Sequence, residues 1–217
     1  MTICIFIKAP VAGRVKTRLY PELAPNRAAD LYRAMAQDTL NTVGLIPGTP
    51  SLIAYEAHAD FPRPEWLTGA GEWFLQEGAG LGERLIHAIE QTHHLNPGPV
   101  LVIGTDLPGL TPEILNEATA LLCDHDVVLG PASDGGYYLI GLKQPQSTLF
   151  QNIPWSTSGV WEATVRALAQ AELSFAQLPM MRDLDTPEDL RLLQSDLRQL
   201  SPTFRKTQEA LHACHAL

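Results

Sequence analysis

The sequence predicts an α/β chain, with a mainly parallel sheet covered by helices on both faces in a three-layer α/β/α arrangement. Three observations carry that expectation. Runs such as residues 3–7 and 100–103 are apolar throughout, as suits strands buried on both sides. These runs alternate with amphipathic helical stretches along the chain. Polar or glycine-rich segments recur just after the runs, and sheets of this kind bind ligands beyond the carboxyl ends of their strands.

Taken in order, residues 3–7 form the first strand and end in a loop holding Pro10 and Gly13. A helix follows from near Asn26, with Leu31, Met35 and Thr39 on one face. Residues 51–55 and 73–75 read as short strands, and residues 81–92 as a helix that aligns Leu81, Leu85, Ala88 and Ile89. After the strand at 100–103, Thr111 caps a helix that opens on Pro112 and runs through Leu122. Strands at 126–129 and 137–142 come next. Val160, Ala163, Thr164, Ala167, Leu168 and Ala171 then mark an amphipathic helix. Thr186 caps a last helix with Pro187, Glu188 and Asp189 in its first turn and Leu190, Leu193, Leu197 and Leu200 in register, ended by Ser201-Pro202.

At 217 residues and 45% hydrophobic content the chain supports one sizeable core. The expected organisation is a single domain over 1–200, with 201–217 as a tail or terminal helix. A formal charge of −9 argues against a general nucleic-acid binder, which needs a basic face to displace counterions. The three cysteines, Cys4, Cys123 and Cys214, have no CxxC spacing and imply neither a disulfide framework nor a zinc knuckle. The tract His212-Ala213-Cys214-His215 reads as a solvated end rather than a metal site. The first apolar run is too short for a signal-peptide core, and no window is long and apolar enough to span a membrane, so the expected location is cytoplasmic.

Four polar segments fall after strands. The first is the loop from Lys8 to Leu19, where Lys8, Arg14, Lys16 and Arg18 with Gly13 form a candidate phosphate cradle; a merely solvated basic loop is the alternative. It lacks the spacing of a phosphate-binding P-loop. The second is Ile103-Gly104-Thr105-Asp106-Leu107-Pro108, which holds Asp106 at the sheet edge. The third is Met181-Arg182-Asp183-Leu184-Asp185-Thr186-Pro187, whose Asp183 and Asp185 share one side of an extended segment, with helix capping the alternative for Asp185. The fourth is Asp134-Gly135-Gly136 before Tyr137, a double-glycine turn that lets a ligand approach backbone beside a carboxylate; a tight hairpin with a solvated Asp is the alternative.

Together these segments predict a metal-bridged diphosphate site. Asp106 and Asp185 hold Mg²⁺ or Mn²⁺. Lys8, Gly13, Lys16 and Arg18 meet the phosphates, with Lys16 and Arg18 also acting in catalysis, and Asp134, Gly135, Gly136 and Tyr137 face the acceptor, with Asp134 as candidate base. A second glycine-rich junction places Gln76, Gly78, Gly82 and Arg84 at the nucleotide. The expected partners are a nucleotide sugar or nucleoside triphosphate and a small-molecule acceptor, with no nucleic acid or membrane and no reading of oligomeric state.

The motifs Lys8-Ala9-Pro10 with Val15-Lys16-Thr17-Arg18-Leu19, Gln76-x-Gly78 with Leu81-Gly82-x-Arg84, Ile103-Gly104-Thr105-Asp106-x-Pro108, Gly130-Pro131-Ala132-x-Asp134-Gly135-Gly136-Tyr137 and Asp183-x-Asp185-Thr186-Pro187 occur in one order. In this the chain resembles the small bacterial glycosyltransferases associated with radical SAM proteins. The resemblance spans about residues 8–193 and implies the glycosyltransferase-A fold of the nucleotide-diphospho-sugar transferase superfamily, with metal-dependent glycosyl transfer from a nucleotide sugar as the first expectation. That superfamily also includes nucleotidyltransferases such as phospholactate guanylyltransferase and the molybdenum cofactor enzymes, with a similar Lys/Arg loop and late Asp-Thr-Pro segment. Gly104 stands where metal-dependent glycosyltransferases usually carry the first carboxylate of Asp-x-Asp. Nucleotidyl transfer with pyrophosphate release is therefore the close alternative. A nucleotide-binding module without turnover is the third, and retention of Asp106 and Asp185 speaks against it.

Overall fold

The structure, a computed structural model, describes residues 1–20, 22–195 and 200–215, with the last two by backbone alone. Among the described residues, the apolar runs form seven strands: β1 (Thr2–Lys8), β2 (Ser51–Glu56), β3 (Trp73–Leu75), β4 (Val100–Ile103), β5 (Val127–Pro131), β6 (Tyr137–Leu142) and β7 (Phe175–Gln177). They lie side by side in the order β3-β2-β1-β4-β6-β5-β7. Only β6 runs against its neighbours, pairing antiparallel with β4 and β5. β1 pairs in parallel with β2 on one side, Lys8 opposite Glu56, and with β4 on the other, Ile5 opposite Ile103. The chain leaves β1 in one direction and returns on its other side at β4, so a crevice opens beyond the ends of these two strands.

Period-2 alternation in β1 divides the interior into two cores. Ile3, Ile5 and Ile7 face α1 (Pro25–Gly44), α3 (Pro112–Asp124), α5 (Pro187–Ser195) and α6 (Arg205–His215), where they join Leu31, Met35, Leu115, Leu190 and Leu211. Cys4 and Phe6 face the other way, toward α2 (Leu81–Leu95) and α4 (Val160–Gln170), with Leu85, Ile89, Val102 and Leu168. This is the three-layer fold the sequence predicts, with a largely parallel mixed sheet. Thr111 accepts a hydrogen bond from the Ile114 amide at 3.4 Å, as its place before Pro112 implies.

The differences have local causes. α1 opens on Pro25, one residue before the expected start, because proline suits a first helical position where the amide would go unpaired. β7 escapes a sequence reading because it has only three residues and is held at the sheet edge by β5. α6 is docked: Asp38 on α1 accepts from the backbone amides of Lys206 and Thr207 at 3.3 and 2.7 Å, and Phe204 and Leu211 are buried. His212 and Ala213 are exposed, whereas the side chains of Cys214 and His215, like Leu197, lie outside the described residues. Among the described residues, no helix is long and apolar enough to cross a membrane.

Candidate functional site

A cleft of about 720 Å³ opens at the carboxyl ends of β1 and β4. Lys8, Arg14, Lys16 and Arg18 contribute to it from the loop after β1, Asp106 from the loop after β4, Asp134, Gly136 and Tyr137 from the β5–β6 hairpin, and Asp183 and Asp185 from the segment before α5. Three of the four segments that sequence reasoning placed at one site thus supply carboxylates to a common space, and the fourth supplies cations.

Lys16 sits at the centre of this arrangement. Val15 and Leu19, on either side of it, are buried and pin the loop to the body, and between them Lys16 adopts a left-handed backbone with φ 49°. Such a conformation is unfavourable for a residue with a Cβ and persists where the surroundings impose it, which is common at functional sites. The outcome is a side chain only 2% exposed, whose Nζ lies 2.7 Å from Asp106 Oδ1 and 3.4 Å from Asp185 Oδ1. Nζ also donates to the Leu184 carbonyl at 2.7 Å. Its approach to Asp106 Oδ1 lacks hydrogen-bonding alignment, so that contact is an ion pair. Arg18, mostly exposed, reaches Asp185 Oδ2 at 3.0 Å.

The acidic wall is assembled by backbone. The Leu184 amide donates to the Asp106 carbonyl at 2.9 Å, clamping the segment before α5 against the end of β4 and presenting Asp183 and Asp185 to the cleft. Thr186 and Asp189 cap α5 reciprocally: Asp189 Oδ2 accepts from the Thr186 amide at 2.8 Å, and the Asp189 amide donates to Thr186 Oγ1 at 3.3 Å. Capping is therefore done without the Asp185 side chain, which leaves that carboxylate to the cations. Asp183 is mostly buried, and its carboxyl is pushed up to about 7, first by desolvation and then by the Asp134 and Asp106 charges, with Lys16 pulling the other way. Among the described residues, no hydrogen bond to its carboxylate offsets the burial. Sequence reasoning named Asp183 but chose Asp106 and Asp185 for the metal, because burial cannot be read from a three-residue extended segment.

The hairpin carries Asp134 on the cleft rim, where its Oδ1 accepts from the Gly136 amide at 2.9 Å. Gly135, with φ +91°, lies so close to the loop before α4 that a Cβ would come within 2.5 Å of the Ser158 carbonyl oxygen. The hairpin thereby seats that loop, whose Trp155, Ser156, Thr157 and Ser158 line the cleft and were not foreseen. Tyr137 packs edge-to-face on Trp155 at 6.2 Å, and burial raises its phenol pKa well above the ordinary value.

Several residues expected at the nucleotide do not line the cleft. Gly13 holds the basic loop's turn with φ +88°. The Gln76 amide is spent on the Ala54 carbonyl at 2.9 Å, and Arg84 is paired with Glu56 at 3.1 Å. Gly78, with φ +133°, packs against Glu83 and Arg84, and Gly82 lets Trp155 approach the first turn of α2. This junction therefore buttresses the cleft from behind. Among the described residues, no three His, Cys, Asp or Glu side chains form a ready-made metal cage.

A family model described as "Uncharacterized protein conserved in bacteria (DUF2064)" matches residues 39–157. The chain belongs to this family. A crystal structure from Desulfovibrio desulfuricans, provisionally named a nucleotide-diphospho-sugar transferase, is 31% identical, covers 99% of both chains and superposes with a TM-score of 0.84. The phosphoenolpyruvate guanylyltransferase of Sphaerobacter thermophilus is 25% identical over 203 residues, covering 89% of this chain and 93% of that protein. The Mycobacterium tuberculosis protein Rv0371c in complex with manganese shares the fold at 17% identity and a TM-score of 0.57, over 90% of this chain and all of that one. The chain is thus a transferase-class enzyme of the nucleotide-diphospho-sugar transferase and nucleotidyltransferase-like superfamily. These relatives carry the superfamily without singling out the radical SAM-associated glycosyltransferases within it.

Proposed function

We propose that this enzyme is a nucleotidyltransferase, moving a nucleoside monophosphate from a nucleoside triphosphate to a phosphate-bearing small molecule. An acceptor phosphate oxygen attacks the α-phosphorus, the bond from that phosphorus to the bridging oxygen of the β-phosphate breaks, and pyrophosphate departs with the released electron pair. The observation that carries this reading is Lys16, buried and fixed among carboxylates on a wall shared with Lys8, Arg14 and Arg18. Held in place before the substrate arrives, such cations neutralise charge developing on a departing pyrophosphate without having to reorganise. β4 leads into Gly104-Thr105-Asp106, so the paired carboxylates of the usual glycosyltransferase strand end are not both present. The name of the Sphaerobacter relative supports both the reaction type and an acceptor of the phosphoenolpyruvate kind.

Mg²⁺ or Mn²⁺ fits the donor set. Among the described residues Asp183 has no hydrogen-bond donor to offset its burial, and it lies near enough to Asp106 and Asp185 for their charges to raise its pKa. Magnesium commonly takes one or two carboxylates and completes its shell with water and substrate phosphates, so a full protein cage is not required. Asp106 and Asp185, with Asp183 beside them, would hold the ion, which supplies charge neutralisation at the phosphates. Asp134 on the rim faces the acceptor, and Trp155 to Ser158 close that side of the cleft.

Glycosyl transfer, the first expectation from sequence, is the second reading, favoured by the name of the Desulfovibrio relative. Product analysis separates the two. The nucleotidyl reading expects pyrophosphate when nucleoside triphosphates are offered with phosphomonoesters, starting with phosphoenolpyruvate; a nucleoside diphosphate released only from nucleotide sugars would replace it with the glycosyl reading.

A further inference from the structure

Tyr32 reaches the cleft from α1 at the point where β1 and β4 part, and it is 3% exposed. Its hydroxyl oxygen accepts two hydrogen bonds, from the Lys8 amide at 2.7 Å and from Thr105 Oγ1 at 3.5 Å. A phenol has two accepting positions and one proton to give. Both accepting positions are taken, one by each strand end, and among the described residues no atom accepts the proton. Burial and the Asp106 charge both push the phenol pKa upward, so the hydroxyl stays protonated at any working pH. A buried donor without an acceptor is uncommon in a folded protein and calls for a partner. Tyr32 packs against Val15, the residue between Arg14 and Lys16, and it lines the same cleft as Lys8, Arg14, Lys16 and Arg18, four cations that outnumber the Asp106 charge acting on it. The phenol therefore lies beneath the basic loop, where an anionic oxygen is the complementary acceptor.

We infer that the Tyr32 hydroxyl donates a hydrogen bond to a phosphate oxygen of the bound nucleoside triphosphate. The assignment rests on the nucleotidyl reading above and adds a residue that is neither cationic nor acidic to the donor site. It also explains why a phenol stands here: phenylalanine would fill the same volume but would neither bridge Lys8 and Thr105 nor reach the substrate.

The test is calorimetric titration of wild type and Tyr32→Phe with inorganic tripolyphosphate and with the four nucleoside triphosphates, alongside thermal melting of both proteins. Loss of a hydrogen bond to a charged oxygen is expected to weaken both kinds of ligand by about tenfold or more. A purely structural role would instead lower the melting temperature and leave the affinity of the folded protein unchanged. Should Tyr32→Phe fail to fold, 3-fluorotyrosine placed at position 32 keeps the hydroxyl and makes its proton a stronger donor, so tripolyphosphate should bind more tightly. Equal affinity in wild type and variant overturns the Tyr32 assignment and leaves the nucleotidyl reading standing; a wild type that binds no triphosphate at all overturns both.

Discussion

Lys16 and Asp183 are the residues whose environments depart furthest from what a surface loop would provide. Removing the ammonium in Lys16→Met should lower kcat/KM on the order of 100-fold while the fold persists, since a preplaced charge at the leaving group commonly contributes that much; steady-state kinetics at saturating metal checks this, and a wild-type rate would remove Lys16 from the chemistry. Asp183 gives a pH signature. Its carboxyl ionises at about 7 in the folded chain against an ordinary 3.8, so folding favours its neutral form, and this contribution is fully present below pH 4 and lost as pH rises through 7. In chelator-treated protein, Asp183→Asn should therefore match the wild-type melting temperature at low pH and exceed it increasingly toward pH 8; curves that stay parallel throughout would contradict the burial of this carboxylate. Sequence pattern went far at this scale. Lys16, Asp106, Asp134 and Asp185 were all recognised by position after apolar runs, and all line the cleft. Tyr32 was not, because on a helix face with Leu31 and Met35 a tyrosine looks like any other core residue. The pairing of Arg84 with Glu56, away from the cleft lining, was not legible either, because nothing in the sequence links those two positions.

At the scale of elements, the hairpin between β5 and β6 is where local sequence and global arrangement meet. The first glycine of its turn, Gly135, serves a close approach to Ser158 as well as a positive φ. Gly135→Ala should destabilise the protein by roughly 2 kcal/mol through overpacking and an unfavourable backbone, and should cost activity by displacing the Trp155–Ser158 wall. Denaturant unfolding with kinetics of the folded fraction measures both, and an alanine variant with unchanged stability would mean that the two loops do not meet as described. The turn was legible from two glycines in a row; its partner loop was not, because Ser156-Thr157-Ser158 has no periodicity and its value lies in a contact more than twenty residues away. Strand and helix order was legible from continuous apolar runs and caps at Thr111 and Thr186. The reversal between β5 and β6 follows from the short glycine turn, which can join only antiparallel strands, whereas the placing of β6 beside β4 was not legible, since a strand's own residues do not encode which other strand it meets.

For the molecule as a whole, the crevice beside β1 and β4 follows from topology: among the described residues, seven strands in one sheet, a reversal of strand order between those two parallel neighbours, and loops of opposite charge on either side of the opening. The superfamily and the three layers could be read from ordered motifs, and so could Gly104; the setting of Lys16, on which the proposed nucleotidyl reading rests, could not, because it depends on Asp106 and Asp185 far along the chain. Phosphorus NMR of wild-type enzyme with Mg²⁺, nucleoside triphosphates and phosphoenolpyruvate measures the central claim directly. The account predicts growth of a pyrophosphate signal in step with a new phosphoanhydride joining the nucleotide to the acceptor. Triphosphates and acceptor left unchanged beside a nucleotide sugar that is turned over to its diphosphate would contradict it.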